Sequence, residues 1–543
     1  MPRLSRSELE GSSLVWLLRV EYAGREFLFS SLALPPGGEP VDDNGTVKGV
    51  DGLIGADLSV GEEWALMSTI SSARSVSFDE VIFPVDVSAL VESGHSLSGG
   101  FGELALWRVG DSYDDRRVFI YGRLTSPEYG AEGEPVSFTV EENPFDDTAI
   151  IPKSTHRASE DTWADLYEGE AGEYYPIVFG EPGIYKSVTG SVLDVSGSRA
   201  LGAEYDSTQL LNPMRKLLIA GHAVQASTVT VYDATSDKYE EYSPEIVFDR
   251  LGKLVTVVDI STTSTITGTN TDFWIQWDGG GALPNKERTE PLTGGGDLLE
   301  WFLLQSSLRV DQGRVSSAKQ FLNSFKFSGF IDSPVSPWEY VEDNLLPLLP
   351  VSIVSGSEGV FPVVWRMDAT VDQAVASITA GTQGGITRDS SVSYENSPLS
   401  VINEIRIDWA YSPVDSTYQR FTVLKGTPDP DASMEVANYY AKVSEARFGN
   451  RATTLQSAIL YDEDTVLRVL NWKLRASGFL HRSVSYRVGK SWGWLGLGDV
   501  VSVTDSDLSL SERVGLVQSV TWETEETLLI GILLVEDPAR DMI

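Results

Sequence analysis

Short runs of β-branched and aromatic residues, each cut off by Gly, Asp or Ser, fill the first quarter of the chain and leave almost no helical periodicity there. From Leu14 to Ser31 the sequence LVWLLRVEYAGREFLFSS sets two apolar segments around Ala23-Gly24. Glycine accepts the positive φ that a tight turn demands, so a hairpin is predicted. Similar runs follow at Arg74–Phe83, Glu103–Val109, Arg117–Leu124 and Pro135–Glu141. Strands at this spacing predict a closed or sandwiched antiparallel sheet ending near residue 150.

The 543 residues exceed what one hydrophobic core holds, and domains of roughly 150 residues imply three or four units. Residues 143–183 are weakly patterned and rich in Pro, Gly, Asp and Glu, which predicts a wrapped connection; it carries YYPIVFGEPG at Tyr174–Gly183. A second β-rich unit shows strands at Thr228–Tyr232 and Leu254–Ile260, a Thr/Ser-rich run at Ser261–Thr271, and FWIQW before Asp278-Gly279-Gly280-Gly281. That glycine cluster and Gly294-Gly295-Gly296 are expected to flank a flexible joint.

Helices concentrate after the joint. Asp297 is placed to cap DLLEWFLLQSSL, with Leu298, Trp301, Phe302 and Leu308 on one face, and Ser317–Phe325 is a shorter candidate. Ser336-Pro337-Trp338-Glu339 has the order of a capping box, predicting a helix from Pro337 to Leu346 that Pro347 and Pro350 end. Asp368 or Thr370 is read as the cap of another helix, to about Thr379, stopped by Gly381. Strands resume at Val401–Trp409, Gln419–Leu424 and Thr453–Leu460; Asp462 caps a strong helix that ends at Gly478. Four more strands are read at Arg482–Val488, Asp499–Thr504, Gly515–Glu523 and Leu528–Val535, with no fixed-period repeat. The expected units are 1–150 (β-barrel-like), 151–290 (β-rich with an irregular connection), 291–390 (helix-containing α+β) and 391–543 (β-barrel-like with one strong helix).

Composition narrows the chemistry. A formal charge of −38 disfavours polyphosphate and anionic headgroups as partners. With no Cys, thiolate zinc, disulfides, cysteine nucleophiles and thiolate-held clusters are excluded, and four His (His95, His156, His222, His481) scarcely supply a metal site or triad. The start lacks the apolar core of a secretory signal, and the longest apolar stretch, Leu528–Val535, is far short of the roughly 18 residues that span a bilayer. A soluble protein made in the cytoplasm is expected.

Individual motifs are weak. Gly489-Lys490-Ser491 ends like a phosphate loop, but Val484 stands where its leading Gly belongs, and Trp492-Gly493-Trp494 follows in place of an amphipathic helix; a hairpin end explains it. Gly94-His95-Ser96-Leu97-Ser98-Gly99 misses the second Gly of a nucleophile elbow, and Ser96 reads as part of a polar turn. Carboxylate pairs such as Asp146-Asp147, Glu240-Glu241 and Asp462 with Asp464 arise from an acidic composition, whereas a glycosidase needs two at a set separation in a cleft. Asp42-Asp43-Asn44-Gly45 is a turn without the ligand spacing of a calcium loop. Tryptophans 301, 338, 365, 409, 472 and 522 read as core, and Trp492 and Trp494 as candidates for an exposed role.

The order of these segments resembles the hub proteins at the distal end of bacteriophage tails. The resemblance is carried by DLLEWFLLQSS, by FLNSFKFSGFIDSPVSPWEYVEDNLLPLLPVSIV leading into FPVVWR, by YYPIVFGEPGIY, and by WGWLGLGDVVSVTD with RVGLVQSVTWETEETLLIGILLVED, together about half of the chain. It implies a mainly β, multidomain fold with α+β regions, in which two tube-like antiparallel β-barrel domains are joined by mixed α/β domains. It further implies a structural homotrimer in the virion, at the tail tip or baseplate, with no catalytic, cofactor-binding or metal-binding residues. Expected partners are a distal tail protein or the tail tube, a tape measure protein, and tail fibre or receptor-binding proteins that act in host attachment. DNA would pass through the lumen without specific binding, and a lumen sharing the chain's negative sign would favour sliding; solubility at high subunit concentration explains the same charge equally well. Without a long carboxy-terminal extension, receptor contact would fall to other subunits. The competing reading is a virion-associated hydrolase of peptidoglycan or surface polysaccharide.

Overall fold

A computed structural model describes residues 9–535 apart from 10–11, 55–57, 59, 72–73, 130–133, 143, 187–191, 195–196, 210–212, 225–227, 262–271, 279–291, 357, 382–385, 390–391, 396 and 430–431. The Thr/Ser-rich run beyond Ser261 and Gly279–Gly281 thus lie outside the described residues.

The expected first hairpin forms between Leu14–Tyr22 and Arg25–Ser30, with Tyr22 opposite Arg25 and both turn residues at positive φ, Ala23 at 50° and Gly24 at 71°. Two positive angles give the turn the twist of the strands it joins. These strands belong to a seven-stranded sheet in the order Gly52–Leu53, Arg25–Ser30, Leu14–Tyr22, Phe101–Arg108, Arg117–Glu128, Val136–Glu141, Ser75–Val81. The sheet curls until its two edges approach: a Cβ on Gly52 would stand 3.2 Å from the Ile82 carbonyl oxygen. Phe83 closes the inside, meeting Phe27 and Phe29 from one flank and Phe138 from the other.

A second seven-stranded sheet runs Lys238–Tyr242, Thr228–Asp233, Phe273–Asp278, Ser198–Tyr205, Met214–Ala220, Leu254–Asp259, Glu245–Phe248. Its two edge strands are neighbours in sequence, separated only by Ser243 and Pro244, so this sheet also curves back on itself. It has its own cores, one around Val229, Val231, Ile275 and Trp277, another around Tyr175, Leu218, Val255 and Val257. The first sheet, the helices and the last sheets instead share one continuous core.

Two helix starts differ from expectation. The first helix is Gly295–Gln305, with Gly294 rather than Asp297 at its N-cap. Gly295 and Gly296 are buried in its first turn, not in a flexible joint, because the helix Gln312–Leu322 crosses so closely that a Cβ on Gly296 would lie 2.7 Å from Lys319 Cα. Asp297 spends its carboxylate between the helices, accepting from Asn323 Nδ2 (3.0 Å) and pairing with Lys319 Nζ (3.0 Å). The second helix starts five residues before Ser317, capped by Asp311, which accepts from the Arg314 amide at 3.0 Å.

Ser336 caps Pro337–Tyr340 by accepting from the Glu339 amide at 3.2 Å, and the helix then loosens into a π turn (Val341–Leu345) and a 3-10 turn (Leu346–Leu348). Thr370 opens only a 3-10 turn, Val371–Gln373. Residues Ala376–Thr379, expected to be helical, are instead a strand parallel to Val500–Asp505. Ile378 and Thr379 are β-branched, and the open edge of Val500–Asp505 supplies hydrogen bonds that a lone helical turn lacks.

The last part holds two sheets. A four-stranded sheet (Glu435–Ala437, Thr417–Lys425, Glu404–Ser412, Ala452–Gln456) carries the helix Glu463–Ser477, capped by Asp462 as expected. An eight-stranded sheet contains Ala376–Thr379, Val500–Asp505, Leu510–Trp522, Thr527–Leu534, Arg482–Gly489, Thr387–Arg388 and Ser393–Tyr394, completed by Val60–Glu63 from far upstream. The architecture is mainly β with α+β regions, arranged as several curled sheets.

Candidate docking surface

The residues that suggested chemistry are occupied structurally. Lys490 donates to the Ser12 carbonyl (2.6 Å) and pairs with Glu526 (2.7 Å), tying the end of strand Arg482–Gly489 to the amino-terminal sheet. Ser96 follows the short helix Val87–Glu92; its hydroxyl accepts from the Ser98 amide at 3.1 Å and lies 3.4 Å from the Tyr129 hydroxyl. Asp42 closes its own turn, accepting from the amides of Asn44 (3.0 Å) and Thr46 (2.8 Å). Asp462 caps its helix, Asp464 pairs with Arg468 at 2.8 Å, and Glu240 accepts from the Tyr242 hydroxyl.

Asp147 is heavily engaged. One oxygen accepts from the Ala149 amide and from both the amide and hydroxyl of Ser307; the other accepts from the Ser336 hydroxyl and the Trp338 amide. Burial pushes its pKa upward, but these donors prevail and hold it below the usual range. Among the described residues, no group of three or more His, Asp or Glu is placed to hold a metal ion. No described helix is long and apolar enough to cross a membrane.

Sequence reasoning missed one acidic cluster. Burial raises the pKa values of Glu170 and Asp332, and both lie in the field of Arg199 and Glu173. Glu170 pairs with Arg199 at 3.2 Å. Three of these residues come from segments that carry no motif and meet only through the fold.

A cleft of about 1040 Å³ lies between the first sheet, the helix Gln312–Leu322, the hairpin Val351–Gly356/Gly359–Val364 and the loop before Val500. Three of its four guanidinium groups meet carboxylates: Arg108 grips Asp111 at 2.6 and 2.8 Å, Arg314 reaches Asp311 at 3.4 Å, and Arg366 reaches Asp368 at 3.2 Å, while Arg117 donates to the Gly493 carbonyl at 3.2 Å. Nothing in that arrangement makes a nucleophile with its base.

A different surface is conspicuous. In the hairpin formed by Glu245–Phe248 and Leu254–Asp259, Phe248 sits opposite Leu254, and the register places Ile246 on the same side. Phe248 is 70% exposed and Leu251, at the turn, 68%, with Ile246 and Leu254 also exposed. Val255 and Val257 face the core around Tyr175 and Leu218, and Val247 packs partly buried against it, so this edge is apolar on both faces. Sheets read that way where both faces are covered. The turn beneath is rigidly anchored. Asp249 accepts from the amides of Leu251 (3.0 Å) and Lys253 (2.8 Å) and from the Tyr175 hydroxyl (3.1 Å), which in turn accepts from Trp163 Nε1. Lys253 lies 4.7 Å from the Tyr175 ring centroid, and burial pushes its pKa down to about 7. Of the tryptophans, 338, 365, 409, 472 and 522 are buried as expected, while Trp492 and Trp494 are half-buried against the core.

The segments that carried the sequence resemblance meet in space. Ile177–Phe179, within YYPIVFGEPGIY, pairs antiparallel with Gly329–Ile331, within FKFSGFID. Gly180, at φ 65°, follows so tightly that a Cβ would lie 2.4 Å from the Phe327 carbonyl oxygen.

No protein-family model matches the chain, and no curated protein sequence matches it. Among solved structures it is similar to the tail protein from Neisseria meningitidis MC58, at 8% identity over 96% of this chain and 97% of that one, with a TM-score of 0.37. It is likewise similar to the prophage MuSo2 43 kDa tail protein from Shewanella oneidensis, at 10% identity over 95% and 98% of the two chains, TM-score 0.37. A chain of the native gene transfer agent virion shares 12% identity over 71% of this chain and 89% of that one, TM-score 0.34.

Proposed function

We propose that the chain is a structural hub of a phage tail tip or baseplate. Three copies would form a ring that adapts a sixfold tail tube to threefold tip components and surrounds or closes the DNA exit channel. The observation that carries this reading is the anchored apolar hairpin at Ile246, Phe248, Leu251 and Leu254: an acidic chain that keeps these side chains outside invests in contact with another protein. The resemblance of its central and terminal segments to tail hubs supports a tail assembly as the source of that contact. The units 1–150 and 391–543 would be the two tube-like parts, with 151–290 and 291–390 between them. In this reading its neighbours are a distal tail protein or tube, a tape measure protein and fibre or receptor-binding proteins, and the lumen is negative.

A hub of this kind makes and breaks no bonds. The alternative, a carbohydrate hydrolase, draws its best support from Glu170 and Asp332, whose raised pKa values suit a general acid, yet Glu170 is only 2% exposed and ion-paired to Arg199. Light scattering on the purified chain, beside assays of peptidoglycan and surface polysaccharide turnover, separates the two. Threefold mass without turnover supports the hub; a monomer that cleaves glycan, and stops on Glu170→Gln, overturns it.

A further inference from the structure

The strand Val60–Glu63 belongs by sequence to the first part of the chain but lies in the last sheet. It pairs antiparallel with the end of Leu510–Trp522, Glu63 opposite Ser519 and Val60 opposite Trp522. The same long strand pairs on that side with Val500–Asp505 only as far as Leu516. Its ladder to Thr527–Leu534 is bulged between Val517 and Ser519, where one neighbour gives way to the other. Val60–Glu63 therefore fills an edge that Val500–Asp505 leaves open. The approach is close: a Cβ on Gly61 would stand 2.4 Å from Thr521 Oγ1. Trp64 finishes the attachment, its amide donating to the Gln518 carbonyl (3.1 Å), its indole Nε1 to the Val517 carbonyl (2.9 Å), and its ring stacking on Trp365.

Charge holds this segment more loosely than backbone does. Glu62 is buried between two guanidinium groups, 3.9 Å from Arg74 Nη1 and 3.8 Å from Arg314 Nη1. Neither of these buried nitrogens has a hydrogen-bond partner. Arg74 is held instead by Glu142 at 2.8 Å, which also accepts from Ser355, and Arg314 lies over the Phe361 ring. The arginines thus belong to the first sheet's margin and the central helix, and Glu62 links both to the last sheet. Buried ion pairs of long geometry return little net stability, and their best-attested use is to fix one register.

We propose that Val60–Trp64 is a latch, a short strand that closes the carboxy-terminal sheet and detaches as a unit while the rest of that sheet stays folded, with Glu62 between Arg74 and Arg314 as its catch. The sheets stay joined elsewhere by their shared core and by contacts such as Lys490 to the Ser12 carbonyl, so release opens this edge of the carboxy-terminal sheet alone. It stands independently of the hub reading.

Hydrogen exchange resolved by peptide tests it. In Glu62→Gln, amides of residues 60–64 and 519–522 are expected to exchange more than about tenfold faster than in the parent, while the ladder between Arg482–Gly489 and Thr527–Leu534 is unchanged. Because the chain has no cysteine, Glu63→Cys with Ser519→Cys introduces the only thiols. The oxidised pair is expected to slow exchange at residues 60–64 in the parent and to cancel the increase in Glu62→Gln. Exchange at 60–64 that Glu62→Gln leaves unaltered, or that rises equally along the whole ladder, overturns the proposal. So does an oxidised pair that fails to slow residues 60–64, a readout that stands even where Glu62→Gln does not fold.

Discussion

The Asp147 carboxylate accepts the Ser336 hydroxyl at 2.9 Å across 189 residues of sequence, and Ser336 in turn accepts from the Glu339 amide, so the cap of one helix is itself capped from the connection after the first sheet. Asp147→Asn keeps the shape but removes the charge that five donors face. A loss of about 2 kcal/mol is expected, read as a lower midpoint in urea at unchanged slope. Its folded pKa is depressed, so its contribution is full above about pH 4 and is lost as pH falls through the folded value. The variant is expected to show less acid destabilisation than the parent.

His156 gives the chain a second acid sensitivity. Burial, reinforced by Lys253 and Lys153, holds it down to about 4. The unfolded imidazole binds a proton from about pH 6.5 downward while the folded one stays neutral, so stability falls between those values. Chemical denaturation at pH 7 and pH 5 is expected to show this loss, and His156→Gln to reduce it.

Gly180 joins the second sheet to the central helices under strict steric limits. Gly180→Ala places a methyl at positive φ against the Phe327 carbonyl, and a loss of about 2–4 kcal/mol is expected. Thermal unfolding checks it, and a change of only a few tenths would mean that the Ile177–Phe179/Gly329–Ile331 junction gives way easily.

The hairpin carries the interaction claim. Phe248→Asp with Leu251→Ser alters exposed side chains, so unfolding is expected within about 0.5 kcal/mol of the parent. If the proposed ring forms through this hairpin, sedimentation velocity is expected to show a trimer for the parent and a monomer for the variant. A variant that assembles like the parent places the contact elsewhere.

Local signals in the sequence were the most readable. Ala23-Gly24, Asp462 before an amphipathic run, and the alternating strands after Arg482 all specify structure through neighbours a few residues away. Misreadings arose where distant groups decide. Gly294–Gly296 carried a linker composition, but distant groups make their small size necessary: Asn323 at Gly294, Phe327 and Leu349 at Gly295, and Lys319, on another helix, at Gly296. Ala376–Thr379 is a strand because Val500–Asp505 offers an edge. The helix Tyr439–Phe448 has only a weak apolar stripe, burying little beyond Ala441 and Ser444, and escaped notice for that reason. The apolar hairpin was equally hidden: Leu254–Ile260 reads as an ordinary strand, EIVF before it was not read as one, and only the fold shows that Ile246 and Phe248 point outward.

Imaging particles that carry the chain, decorated with an antibody against it, tests the central claim most directly. Label confined to the distal end of a tail, with copies in multiples of three, is the predicted result. Label along the tube, on the capsid or on no particle at all would contradict it.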